Sequence, residues 1–285
     1  MPLGAAVPPN RDGSWRDDLL VARGELVVQA SLIVEWVYGF YERQGMLTGL
    51  YSGDPDDYYQ GQAARIRRLA PDAATVLELA AGGGQAAAVT ADDGLTVTAV
   101  ELVSRAAANA RRLAATRPGL TVLEADMYTV DLGDAHFDAV VYWDGFGIGT
   151  DRDQLVLLRR IREWMDRGGR LLLDVYTPWY WAAAAGHESS HGTARSRYGF
   201  DPYGCRMLDR WWDSEAGGED DAVEQSLRCY SPADLALLAD AVGLRVTTVE
   251  PHGAVDYRTG NYEPEVPLHR AMSYTAVITV IDDGR

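Results

Sequence analysis

TVLELAAGGGQAAAV, Thr75 to Val89, is the stretch on which the fold turns. A β-branched and leucine run, Val76 to Leu79, leads into three glycines, Gly82 to Gly84, and then into alanines that suit a helix. That order predicts a strand, a turn where a ligand can approach the backbone, and a helix N-terminus. A second strand pattern, Leu95 to Val100, ends at Glu101, and a third, Leu120 to Ala125, ends at Asp126. Helical patterns over about 83–91, 104–116 and 152–165 alternate with the strands, which predicts parallel pairing through right-handed crossovers. A ligand would then sit above the carboxyl ends of the strands, where acidic residues collect.

Two families use this plan. Gly82-x-Gly84-x-x-Ala87 satisfies a dinucleotide fingerprint, and Glu101 lies near the distance at which an acidic residue meets a ribose, so an NAD(P)-dependent oxidoreductase is one reading. Glu78, inside the first strand and four residues before Gly82, points elsewhere. VLELAAGGG resembles motif I of the class I S-adenosylmethionine-dependent methyltransferases, with Glu78, Gly82 and Gly84 on the family's positions and Ala80 where the family often has glycine.

The resemblance extends from Tyr58 to Tyr176. It implies that Glu101, followed by Leu102, takes both ribose hydroxyls, and that Asp126 and Met127 of EADMYTVDL flank the adenine. FDAVVYWDGFG resembles the fourth motif and brings Trp143 and Asp144 to the cofactor, while RGGRLLLDVYTP resembles the fifth-strand motif, with Gly168-Gly169 ending a helix before it. Aromatic residues at the start of an earlier helix, here Tyr58 and Tyr59, touch the methionine end in similar enzymes. The implied fold is a Rossmann-like α/β sheet of seven strands, the last pair antiparallel, with N-terminal helices and an inserted lid or hairpin. Its segments are an arm at 1–15, a helical cover at 16–57, the cofactor core at 58–177, an aromatic insertion at 178–230 and the rest of the sheet at 231–285. A cofactor-binding protein without chemistry is a third reading.

Composition narrows the partners. A net charge of −16 argues against nucleic acid, which needs clustered cations. All 26 basic residues are arginine, which excludes Schiff-base chemistry and any P-loop needing its lysine. Cys205 and Cys229 are too few for a disulfide scaffold or zinc finger, although they flank Gly217-Gly218 symmetrically and a hairpin there would bring them near. MPLGAAVPPNRDG lacks the pattern of a secretory signal and no membrane span is visible, so a cytoplasmic location is expected.

Asp17 to Gln44 reads as one helix, with Leu19, Leu26, Ala30, Ile33, Val37 and Tyr41 on one face and Gly45 as its stop; that face either packs on the parent domain or forms a homodimer contact. After Tyr176 the expectation is a short helix, a Gly/Ser/His loop, and a hairpin of Arg206–Asp213 and Asp221–Tyr230. A helix opened by Ser231-Pro232 follows, then strands at Leu244–Val249 and Tyr274–Ile281 around a loop, Pro251–Pro267.

Methyl transfer from a sulfonium needs an acceptor atom in line with the methyl, a dry site, and a base only if the acceptor must lose a proton. Trp179, Trp181, Tyr198, Tyr203 and Trp211 of the insertion, with Tyr180, Phe200 and Trp212 beside them, suit a flat small-molecule acceptor, aromatic or heteroaromatic, an indole-containing natural product being one candidate. His187 and His191 are candidate bases, with Asp144 and Tyr176 at adjacent strand ends as alternatives; His252 and His269 are second choices, and His136 is structural. No metal site is expected, because nothing completes the His187–His191 pair.

Overall fold

A computed structural model describes residues 23–281, with side chains from Trp36 onward. The arm at 1–15, the start of the helix expected at Asp17 and the side chains of Leu26, Ala30 and Ile33 lie outside the described residues.

Helix α1 (Arg23–Thr48) runs through Gly45 and stops at Gly49, whose φ of 74° supplies the left-handed closing residue and whose N–H reaches the Gly45 carbonyl at 2.9 Å. The expected stop at Gly45 is therefore four residues early. Helix α2 (Asp57–Leu69) is capped by Asp56, which accepts from the Tyr58 N–H at 3.0 Å.

The core alternates as read: β1 (Thr75–Leu79), α3 (Gln85–Asp92), β2 (Thr96–Glu101), α4 (Ser104–Ala114), β3 (Leu120–Glu124), β4 (Phe137–Tyr142), α5 (Asp151–Trp164) and β5 (Met165–Tyr176). Gly168-Gly169 does not end the helix. Trp164 does, and the glycines lie within β5 where its register against β4 shifts between Phe137 and Ala139.

The insertion opens with α6 (Pro178–Ala184). It continues as β6 (Glu188–His191), β7 (Ala194–Asp201), β8 (Arg206–Asp213) and β9 (Val223–Arg228), a separate four-stranded antiparallel sheet. The residues read as a Gly/Ser/His loop are thus two strands, joined at Gly192 with φ 61°. β6 is exposed along its length, so no apolar alternation marked it. Cys205 and Cys229 are neighbours across β8 and β9, the Cys229 N–H meeting the Cys205 carbonyl at 2.9 Å, and both thiols are free. After α7 (Pro232–Asp240) come β10 (Leu244–Pro251), a small hairpin of β11 (Ala254–Asp256) and β12 (Asn261–Glu263) inside the expected loop, and β13 (Ser273–Val280).

The main sheet has the order β10-β13-β5-β4-β1-β2-β3, with β1 to β5 parallel and β13 antiparallel to both its neighbours. One face, with Leu77, Leu79, Val140, Tyr142, Leu171 and Leu173, packs on Leu157, Leu158 and Ile161 of α5 and Leu235 of α7. The other, with Val76, Val97, Ala99, Val141 and Leu172, meets α2, α3 and α4 through Ile66, Ala87 and Leu113. Strand order reverses beside β1, so a crevice opens where β1 and β4 diverge. Among the described residues no helix is long and apolar enough to cross a membrane.

Candidate active site

A cavity of about 450 Å³ lies at the carboxyl ends of β1 to β4. Its floor is the turn after β1. Ala80, Gly82 and Gly84 all have positive φ, at 50°, 54° and 77°. Glycine is required at 84, because a Cβ there would stand 2.5 Å from the Ala110 Cβ of α4. Ala80 holds a left-handed conformation without being glycine. The loop after α1 lies over the turn: the Tyr51 ring rests on Gly82, Gln85 Nε2 donates to the Ser52 carbonyl at 3.3 Å, and Asn109 Nδ2 ties the Gly53 and Gly83 carbonyls at 3.1 and 2.8 Å.

Glu101 organises the turn from β2. Its carboxylate accepts from the Gly82 and Val103 N–H groups, one at each oxygen and both at 2.7 Å, which leaves further lone pairs for a ligand. Burial raises its pKa to about 7 against those bonds. Glu78, only 2% exposed, is pushed to about 8 by burial and by the neighbouring Glu101. Asp126 accepts from the Tyr128 N–H at 2.9 Å, and burial raises it as well. Asp144 follows β4 with φ 51°; its accessible side opens into the cavity while protein encloses the rest, and this enclosure raises its pKa against the hydrogen bond donated by Tyr176.

Of the residues expected at the cofactor, Tyr58, Tyr59, Glu78, Ala80, Gly82, Glu101, Leu102, Asp126, Met127, Trp143 and Asp144 line this one cavity; Gly84 lies beneath it, in the turn. Other lining residues were given no role by the motifs. Val37 and Tyr41 come from α1, Tyr51 from the loop, Gln62 from α2, Gln85 from α3, and Tyr128 and Ile148 from the segments after β3 and β4. Val37 and Tyr41 had a signal in their place on the apolar face of α1, and Gln85 and Tyr128 in lying within the quoted stretches Thr75–Val89 and Glu124–Leu132. Among the described residues, three buried polar atoms of the cavity lining have no hydrogen-bond partner: Gln62 Oε1, Glu78 Oε2 and Trp143 Nε1. Such atoms cost free energy unless a ligand meets them.

The insertion behaves differently from its reading. None of Trp179, Trp181, Tyr198, Tyr203 and Trp211 lines the cavity. Trp179 and Trp181 donate to the Leu268 and Met272 carbonyls at 2.9 and 3.0 Å, Trp211 donates to Asp209 at 2.8 Å, and Tyr198 packs on Trp181 with centroids 5.0 Å apart. Tyr203 is fully exposed in a turn. Trp179 and Trp181 fasten α6 to the segment that leads into β13, whereas the Trp211 bond stays within β8.

His187 and His191 are likewise off the cavity. His187 stacks on Tyr257 at 3.9 Å, and His191 is exposed at the end of β6. The strand conformation of β6 removes the helical geometry that an i to i+4 pair needs to converge. His252 bonds Ser273 and Thr275 at 2.8 and 2.7 Å beside Asp174, and His136 bonds the Asp134 carbonyl at 2.9 Å. Tyr176 reaches the site through Asp144. Among the described residues no three His, Cys, Asp or Glu side chains are grouped to hold a metal ion.

Residues 76–169 match the family model described as a methyltransferase domain. Among solved structures, the CcbJ methyltransferase from Streptomyces caelestis is 21% identical over 80% of this chain and 91% of its own, with a TM-score of 0.64. The sugar N-methyltransferase KedS8 from Streptoalloteichus sp ATCC 53650 is 21% identical over 97% and 98%, with a TM-score of 0.54. The 1,6-didemethyltoxoflavin-N1-methyltransferase of Burkholderia thailandensis, solved with 1,6-didemethyltoxoflavin and S-adenosylhomocysteine, is 17% identical over 94% of each chain, with a TM-score of 0.57. At these identities the likenesses are of fold. No curated protein sequence matches the chain. Residues 76–169 thus match a methyltransferase domain, and the sheet that contains them has the strand order and antiparallel last pair expected of the Rossmann-like class I methyltransferase fold.

Proposed function

We propose that the protein methylates a small, aromatic or heteroaromatic natural product at the Asp144 end of the cavity. The observation that carries this reading is the lining itself: Glu78, Glu101, Asp126 and Asp144 stand at four successive strand ends, with no arginine among the described residues that line the cavity. Such a rim favours a cation and disfavours the pyrophosphate of a dinucleotide. S-adenosylmethionine, when bound, supplies an electrophilic methyl on a sulfonium.

In this reading Glu101 accepts the ribose hydroxyls, Asp126 and Met127 flank the adenine, and Glu78, Gln62 and Trp143 offer their unpaired atoms to the methionine end. Val37 and Tyr41 exclude water. Asp144, ordered by Tyr176, receives a proton from the acceptor where one must leave, a role that its raised pKa suits. The aromatic character of the acceptor is supported by rings that line the cavity, Tyr41, Tyr58, Tyr59 and Trp143 among them, and not by the insertion. The Burkholderia enzyme, solved with 1,6-didemethyltoxoflavin bound, agrees with a small-molecule acceptor.

Calorimetric titration tests the assignment. S-adenosylhomocysteine should bind and NAD should not, and Glu101→Ala should weaken binding by about a hundredfold or more, the equivalent of two lost charge-assisted hydrogen bonds. Binding of NAD in its place would restore the oxidoreductase reading.

A further inference from the structure

The inserted sheet places a polar chain behind the acceptor end of the cavity, and none of its buried members has a part in methyl transfer as proposed. Asp209 in β8 is 5% exposed. One of its oxygens, Oδ2, accepts from Trp211 Nε1 at 2.8 Å and from Gln225 Nε2 of β9 at 3.4 Å. The other, Oδ1, has no partner. Gln225, equally buried, uses its remaining end, Oε1, to accept from the Tyr41 hydroxyl at 2.9 Å. Tyr41 lines the cavity.

These bonds have a direction. A carboxylate can only accept, so the Gln225 amide must turn its NH2 toward Asp209 and its oxygen toward Tyr41. Tyr41 must then spend its single proton on Gln225. What the Tyr41 oxygen can still offer is a lone pair. Asp144 is constrained in the same sense, because Tyr176 donates to it and its free oxygen sites only accept. Burial raises Asp209 to about 7, and a proton taken up at the unpaired Oδ1 leaves Oδ2 accepting, so either ionisation state preserves the direction.

We infer that Asp209 and Gln225 are positioning residues which hold the Tyr41 hydroxyl as a hydrogen-bond acceptor toward the cavity, so that Tyr41 and Asp144 together favour acceptors presenting N–H or O–H groups. A buried site of one polarity rejects a ligand of the same polarity because both groups are left unpaired. The inference rests on the proposed function, whose acceptor class it narrows to amines, amides with N–H, phenols and alcohols. Carbonyl, ether and N,N-disubstituted amide isosteres are disfavoured.

The test is ligand-observed NMR on the full chain saturated with S-adenosylhomocysteine, using matched neutral aromatic fragment pairs such as benzyl alcohol against benzyl methyl ether and phenol against anisole. On the wild type the N–H or O–H member of each pair should bind more tightly by about tenfold, the factor expected for one satisfied buried hydrogen bond. Gln225→Met keeps the volume and frees the Tyr41 proton to face the cavity; it should reduce that preference to the part that Asp144 maintains alone. Asp209→Asn, which can keep an oxygen at the Oδ2 position, should retain the full preference, an outcome that a purely structural role does not predict.

S-adenosylhomocysteine affinity reports on the fold of each variant and should stay within about twofold, since neither residue lines the cavity. No preference in the wild type, no binding of the donor fragments, or an unchanged preference in Gln225→Met overturns the inference. Failure of the wild type to bind S-adenosylhomocysteine at all counts instead against the methyltransferase reading.

Discussion

Tyr176 donates its phenolic proton to Asp144 across the ends of the neighbouring parallel strands β5 and β4. The pair stands where β4 leaves the sheet, and Asp144 adopts a left-handed backbone there, a conformation that costs an L-residue free energy and recurs at functional sites. Burial keeps its proton affinity high, and the hydroxyl keeps it oriented.

Asp144→Asn should therefore lower turnover roughly a hundredfold and Tyr176→Phe roughly tenfold, the range for a general base and for its orienting partner. Steady-state rates at saturating cofactor decide it. Wild-type turnover in Asp144→Asn would remove the pair from the chemistry.

Raised carboxylates predict an unusual stability profile. Glu78 at about 8, Glu101 and Asp209 at about 7 and Asp174 at about 6 all hold protons more tightly folded than unfolded. Their contribution is complete below the ordinary carboxylate range and is lost as pH rises through these values. The melting temperature of the ligand-free protein should fall between about pH 5 and pH 8. Glu78→Gln should flatten that fall and raise the melting point at pH 8 by roughly 2–4 °C per kcal/mol recovered. Scanning calorimetry across the range measures both. A profile that rises toward pH 8 would contradict the assignment.

The glycine turn makes opposite predictions at two neighbouring positions. Ala80 has φ 50°, so Ala80→Gly should relieve about 1 kcal/mol of backbone strain. Gly84→Ala meets both a φ of 77° and the Ala110 Cβ at 2.5 Å, and should cost about 2–4 kcal/mol. Chemical denaturation of the two variants separates these signs; equal effects would mean that the turn is not held as described.

His187→Asn and His191→Asn should leave turnover within about twofold of wild type, as expected of side chains outside the site. His187 lies against Tyr257 and His191 faces solvent. A large loss of rate in either variant would show that the insertion moves onto the cavity during catalysis.

The strand-end half of the cavity was legible in the sequence because its residues lie at strand ends within short motifs. Glu78, Glu101, Asp126 and Asp144 need only the alternation of strand and helix to be placed together. The acceptor half was not. The aromatic composition of the insertion pointed to Trp181 and Tyr198, but whether a ring faces a ligand or a backbone carbonyl depends on which acceptor lies opposite. For Trp181 that acceptor is the Met272 carbonyl, 91 residues away. Likewise β6 carries no apolar alternation, because both of its faces meet solvent.

The sequence by itself determined the parallel core, the glycine turn and the acidic rim, since each follows from local periodicity and from the conformations that glycine permits. Tertiary structure alone decided what closes over that rim. Tyr41 and Val37 from α1 and Tyr51 from its loop reach the cavity, and Gln225 and Asp209 set the direction of the Tyr41 hydroxyl from 184 and 168 residues away in the chain. Contacts at such separations are fixed by the packing of whole elements, which no local pattern encodes.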